Sequence, residues 1–98
     1  MSRAVKKSDL ELLMERIERF QKKQFPDSTF ESKVKHLREE LTEWRRAPDD
    51  ETEMADVFIL AIAAAAKLGY TARNIIAIAH RKMDVNEQSS RRARRKSC

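Results

Sequence analysis

The sequence predicts an all-α domain, a four-helix bundle completed by oligomerisation. Three observations carry this. The chain has 98 residues with one Gly and two Pro, and 38% of it is charged; such a composition suits helices and disfavours sheets. Apolar residues recur at three- and four-residue spacing in four separate stretches. Those stretches are divided by Pro26-Asp27-Ser28, by Pro48-Asp49-Asp50 and by Gly69, residue types that stop one helix and open the next.

The first helix opens at Ser8, which forms the S-x-x-E pattern of a capping box with Glu11. Leu10, Leu13, Ile17 and Phe20 make its apolar stripe, which runs to about Gln24. Residues 1–7 carry no period and are expected to fray. Ser28 or Thr29 caps the second helix, with Glu31 as the reciprocal partner of Ser28. Its stripe is Val34, Leu37, Leu41 and Trp44, and it ends near Arg46, where two arginines suit the helix dipole. The third helix starts near Asp49 or Asp50 and runs to Leu68. From Met54 to Ala66 it is apolar nearly all round, Asp56 excepted, so neighbours from its own chain or another subunit should enclose it. Thr71 caps the fourth helix, with Ala72, Ile75, Ile76, Ala79 and Met83 facing inward and an end near Gln88. One domain, residues 8–88, is followed by a basic, disordered tail over 89–98.

Several function classes fall away. The single cysteine, Cys98, allows no internal disulfide and no cysteine-based metal site, which fits a cytoplasmic setting. The longest apolar run, Val57 to Ala66, is too short for a bilayer span, and no secretory signal is visible. The net charge of +5 comes from Arg91, Arg92, Arg94, Arg95 and Lys96; without them the basic residues equal the 16 acidic ones. No stable nucleic-acid partner is therefore expected of the folded domain.

The chemistry concentrates between Glu39 and Asp56. Glu40 pairs with Glu43, and Glu53 with Asp56, at the same i, i+3 spacing on either side of the Pro-Asp-Asp turn. On helices, each pair stands about 5 Å apart on one face, and the turn brings the two pairs together. Like charges so placed repel unless a cation lies between them. His36, Glu40 and Glu43 form a stripe beside the core face, with Glu39 on its edge, and Asp56 opens a run of ten apolar residues, where a carboxylate is costly without a partner. An all-oxygen set suits Mg²⁺ first and Mn²⁺ second. A plainer reading stands beside this one: paired glutamates are commonly solvated, and Glu53 could be the partner of Asp50 in a capping box.

The fourth helix holds a second polar signal. Lys82 and Asn86 continue its apolar stripe, which suits a phosphate partner and an amide at the end of the bundle; alternatively, the helix has left the core there and both are solvated. His80 and Arg81 look like surface residues. Trp44 reads as core rather than a base-stacking platform.

The ordered set resembles a family. His36-Leu37-Arg38-Glu39-Glu40-Leu41-Thr42-Glu43, Ala47-Pro48-Asp49-Asp50, Glu53-Met54-Ala55-Asp56-Val57, Leu60, Gly69 and Lys82-Met83-x-Val85-Asn86 are similar to the MazG-like all-α nucleoside triphosphate pyrophosphohydrolases, as is Phe25-Pro26-Asp27-Ser28-Thr29 to their small dATP/dGTP diphosphohydrolase branch, which has phage members. The resemblance implies Mg²⁺ held by Glu40, Glu43, Glu53 and Asp56, with Glu40 orienting or deprotonating the attacking water. It implies cleavage between the α- and β-phosphates of a nucleoside triphosphate, and phosphate contacts from Lys82 and Asn86. It implies a homodimer or homotetramer with sites near the subunit interface. His36 would hold a phosphate or steady a carboxylate. Base contacts would come from the first helix and the 25–30 loop, through Gln21, Gln24 and Phe25. The arginine and aromatic that often follow Asn86 in the family are replaced here by Glu87-Gln88-Ser89-Ser90. Two competing readings stay open on the sequence: a non-catalytic helical adaptor whose basic tail binds nucleic acid, and a pyrophosphatase for a pyrimidine triphosphate.

Overall fold

A computed structural model describes residues 6–93, with side chains to Ser89. It contains four helices, α1 (Asp9–Gln24), α2 (Phe30–Arg46), α3 (Glu51–Lys67) and α4 (Ala72–Ala93), and no strand among the described residues. The all-α, four-helix expectation holds. No single helix among the described residues is long and apolar enough to cross a membrane.

The helix starts follow capping chemistry, though not always with the expected partners. The Ser8 hydroxyl accepts from the Glu11 N–H at 3.1 Å, but the box with Glu11 is only half formed. The Glu11 carboxylate turns instead to Arg73 Nε at 3.4 Å, tying α1 to α4. Thr29, not Ser28, caps α2, and its reciprocal partner is Ser32 rather than Glu31. Ser28 instead donates to the Phe25 carbonyl at 2.9 Å and shapes the α1–α2 loop. Thr71 and Asn74 form a reciprocal pair at the start of α4. That helix continues to Ala93, beyond the expected stop near Gln88, because nothing from Asn86 to Ala93 breaks a helix. Of the expected disordered tail, residues 89–93 are thus helical, and residues 94–98, with Cys98, lie outside the described residues, as do residues 1–5. Lys7 is held to Glu15 at 2.9 Å.

The α2–α3 hairpin is the most extensive packing in the chain, and α1 lies across α3 and against α4. Gly69 turns the chain out of α3 with φ +93°, a left-handed conformation that costs a residue with a Cβ about 1–2 kcal/mol. No atom would meet a Cβ placed there. Gly69→Ala should therefore lower stability by about that backbone cost alone, read by urea unfolding.

The core is thin. Met14, Ile17, Leu60, Ala63, Ala64 and Ala72 are buried, and no large side chain among the described residues is fully enclosed. The axes of α3 and α4 meet at 108°, and the radius of gyration is 16.1 Å against about 13 Å for a compact domain of this length. Several residues expected inside stand open: Leu13, Phe20, Leu41, Met54 and Met83 are each more than 40% exposed, and Phe58 is 40% exposed. Between α1, α3 and α4 lies an apolar cleft of about 380 Å³, lined by Leu10, Phe58, Ile62, Ile76 and Met83, with His80 on its rim. His80 is exposed, as expected of a surface residue, and borders this cleft.

Candidate metal centre

The packed face of α2 differs from its hydropathy stripe. Lys33 is buried, Leu37, Glu40 and Trp44 are half-buried, and Leu41 is exposed. These positions follow i, i+4, i+7, i+11, so Glu40 stands within the packed face rather than beside it. On α3 the equivalent row is Glu53, Val57, Leu60 and Ala64, all half-buried or buried. Glu53 therefore opens the stripe that packs against α2.

The turn between them sets the register. The Ala47 N–H donates to the Glu43 carbonyl at 3.0 Å, and the Asp50 N–H donates to the Ala47 carbonyl at 3.0 Å. The Asp50 carboxylate accepts from the Thr52 N–H at 3.0 Å and the Thr52 hydroxyl at 2.6 Å, which holds its own charge below the usual carboxylate range. These bonds remove the capping-box reading of Glu53, because the N–H that Glu53 would accept is already engaged with Ala47. The Glu53 side chain is left free to face α2.

Glu40, Glu43 and Glu53 each bring a carboxylate oxygen to within 4.8 Å of the others. Glu40 and Glu53 are half-buried, and Glu43 is exposed. The cost of this crowding falls on Glu53. Partial burial, then the charges of Glu43, Glu40 and Asp50, then a hydrogen bond shared with Glu40, raise its carboxyl above the usual range. His36 Nε2 lies 3.4 Å from Glu40 Oε2, one turn back on α2. An oxygen-only donor set of like charges, with no lysine or arginine among the described residues paired to the three, fits a hard divalent cation.

The other sequence candidates fall elsewhere. Asp56 is exposed and outside the three-oxygen cluster; its expected place at the mouth of a buried helix is corrected. The reason is that no element among the described residues covers that side of α3, where Met54 and Phe58 also stand open. Lys82 and Asn86 are exposed on α4. Lys82 lines a cleft with Ala65 and Tyr70 beyond the far end of α3, about 18 Å along that helix from Glu53. A single chain therefore does not bring Lys82 to the carboxylates.

Gln21 is buried, at 6% exposure, and Gln24 is exposed. The Gln21 amide oxygen accepts from Lys33 Nζ, a buried bond between α1 and α2. The same ammonium sits 4.7 Å from the centre of the Phe25 ring. Burial, then the nearby charge of Lys67, pushes Lys33 below its ordinary value. Sequence reasoning missed Lys33. The available signal was its position seven residues before Glu40, on the same helical face.

A family model described as dATP/dGTP pyrophosphohydrolase matches residues 13–97. Neither the curated proteins nor the solved structures give a significant match. The matched span takes in the whole carboxylate hairpin, the Gln21–Lys33 pair and α4. The chain belongs to the dATP/dGTP pyrophosphohydrolase family.

Proposed function

We propose that the chain is a Mg²⁺-dependent enzyme that cleaves a deoxypurine triphosphate, dGTP or dATP, to the monophosphate and pyrophosphate. The observation that carries this is the meeting of Glu40, Glu43 and Glu53 oxygens at the α2–α3 hairpin, in a chain of a family described by that activity. These three residues would hold the metal, and Asp56, one helical turn beyond Glu53, would complete the set when its side of α3 is covered. Mn²⁺ would serve in place of Mg²⁺. When bound, the metal supplies charge neutralisation at the phosphates and a water acidic enough to attack at neutral pH. Glu40, steadied by His36, would orient that water and accept its proton. Lys82 and Asn86 would bind the phosphate chain.

Oligomerisation supplies the missing reach. The open apolar residues of α1, α3 and α4 form a face suited to a second copy, giving a homodimer or homotetramer. With α4 of the neighbour laid across the hairpin, Lys82 and Asn86 would come to the carboxylates from the other subunit.

The direct test is pyrophosphate release from each canonical dNTP and NTP, with Mg²⁺, with Mn²⁺ and with EDTA. Release should be fastest from dGTP or dATP, equimolar with the monophosphate, and abolished by EDTA. Turnover that survives EDTA would remove the metal from the reading, and faster cleavage of dUTP or dCTP would remove the purine preference.

A further inference from the structure

Lys33 is a cation without an anionic partner. It is only 5% exposed, and among the described residues neither it nor Lys67 forms an ion pair. Its ammonium rests on the Gln21 amide oxygen and the face of Phe25, while Lys67 Nζ donates to the Phe25 carbonyl at 3.3 Å. Two lysines thus meet Phe25, Lys33 at its ring and Lys67 at its carbonyl. Burying a lysine this way costs stability, and a surface lysine would hold α1 to α2 no worse. The arrangement calls for a purpose at Gln21.

A lysine ammonium can only donate. The Gln21 oxygen must therefore face Lys33, and its NH₂ must face the other way. That nitrogen donates to nothing among the described residues, yet no enclosed side-chain nitrogen or oxygen there lacks a partner. On a residue only 6% exposed, the NH₂ is therefore not fully enclosed, and it is a donor whose direction is fixed. Beside it, Phe20 and Phe25 are 54% and 48% exposed, apolar faces for a flat ring. Along α2, Lys33 precedes Glu40 by two turns on the same face, about 10 Å, which is the reach from an α-phosphate at the carboxylates across the sugar to the base.

We propose that Lys33 is a positioning residue for base recognition: it locks the Gln21 amide so that its NH₂ donates to a ring-nitrogen acceptor that adenine and guanine share. This rests on the pyrophosphohydrolase reading of the hairpin. The two bases differ in their exocyclic groups, an amine at C6 of adenine against a carbonyl at C6 and an amine at C2 of guanine, but both offer N7 and N3 as acceptors. A fixed donor accepts either purine through such a nitrogen, whereas an amide free to flip would not discriminate.

The test compares kcat/KM for dGTP and dATP with their 7-deaza and 3-deaza analogues, in the wild type, Lys33→Met and Lys33→Arg. The wild type should lose about tenfold or more on one analogue pair, identifying the nitrogen. Lys33→Met should make parent and analogue equal, because its amide is free to turn. Lys33→Arg, which also only donates, should restore the difference. If Lys33→Met does not fold, Gln21→Glu gives the same readout, since a carboxylate facing Lys33 has no donor to offer. The inference is overturned if Lys33→Met keeps the wild-type difference. It is equally overturned if Lys33→Met slows every nucleotide by one factor, or if the wild type is indifferent to both analogues while still turning over. A wild type that releases no pyrophosphate from any nucleotide overturns the enzymatic reading and this one together.

Discussion

Glu53→Gln should make the metal-free protein more stable while abolishing its activity. The two effects share one cause. Glu53 is forced to hold its charge beside Glu40 and Glu43, and its carboxyl is raised accordingly. A group that binds its proton more tightly in the folded state than in the unfolded state stabilises the fold only while protonated. That contribution is complete below the ordinary carboxylate range and is lost as pH rises through the raised value of Glu53. At pH 7 the ionised side chain therefore works against the metal-free fold. Glutamine keeps the shape without the charge, so the metal-free variant should melt at a higher temperature than the wild type at pH 7, with the gap closing as pH falls below the carboxylate range. Mg²⁺ should reverse the order: it raises the wild-type Tm by binding the folded state and leaves the variant nearly unmoved. Loss of a metal ligand removes several kcal/mol of transition-state stabilisation, so pyrophosphate release should fall about 10³-fold or more. Thermal melts with and without Mg²⁺, beside the release assay, read both signs. A variant that melts lower than the wild type without metal would mean that Glu53 is a structural residue and not a crowded ligand.

The same residue shows where the sequence was legible. The spacing marked which carboxylates of the hairpin meet for Glu40, Glu43 and Glu53 but not for Asp56, because helical period and a Pro-Asp-Asp turn dictate which side chains can meet. Whether Glu53 caps its own helix depended on where one N–H goes, and only the three-dimensional turn shows Asp50 donating to Ala47. The packed face of α2 was misread at one position for a related reason, Val34, Leu37 and Trp44 being half-buried as expected. Hydropathy selected Leu41, which is 44% exposed, over Lys33, whose partner Gln21 lies on another helix and leaves no periodic trace. Asp56 was misplaced because an apolar run shows that a face needs cover, not which molecule covers it. The choice between enzyme and adaptor lay beyond spacing altogether, and family membership settles it for the enzyme.

Lys82→Ala and Glu53→Gln, each nearly inactive alone, should regain activity when mixed. Lys82 lies beside Ala65 and Tyr70, about 18 Å of helix from Glu53, and a lysine side chain does not cross that distance within one chain. Removing a charge-assisted contact to the phosphates should slow Lys82→Ala by about 10²-fold. If the contact comes from a neighbouring subunit, a mixed dimer holds one site with both defects and one with neither. Random reassembly of equal amounts in a symmetric dimer makes half the dimers mixed, so activity should return to about a quarter of the wild type. The apolar face predicts how to block that recovery. Phe58 is 40% exposed at the cleft between α1, α3 and α4, and a charge there opposes burial against a second copy. Adding Phe58→Asp to both variants should shift the sedimentation profile toward monomer and remove the regained activity together. Mixtures that stay as inactive as their components, under conditions where subunits demonstrably exchange, would place Lys82 and the carboxylates in independent roles within each chain.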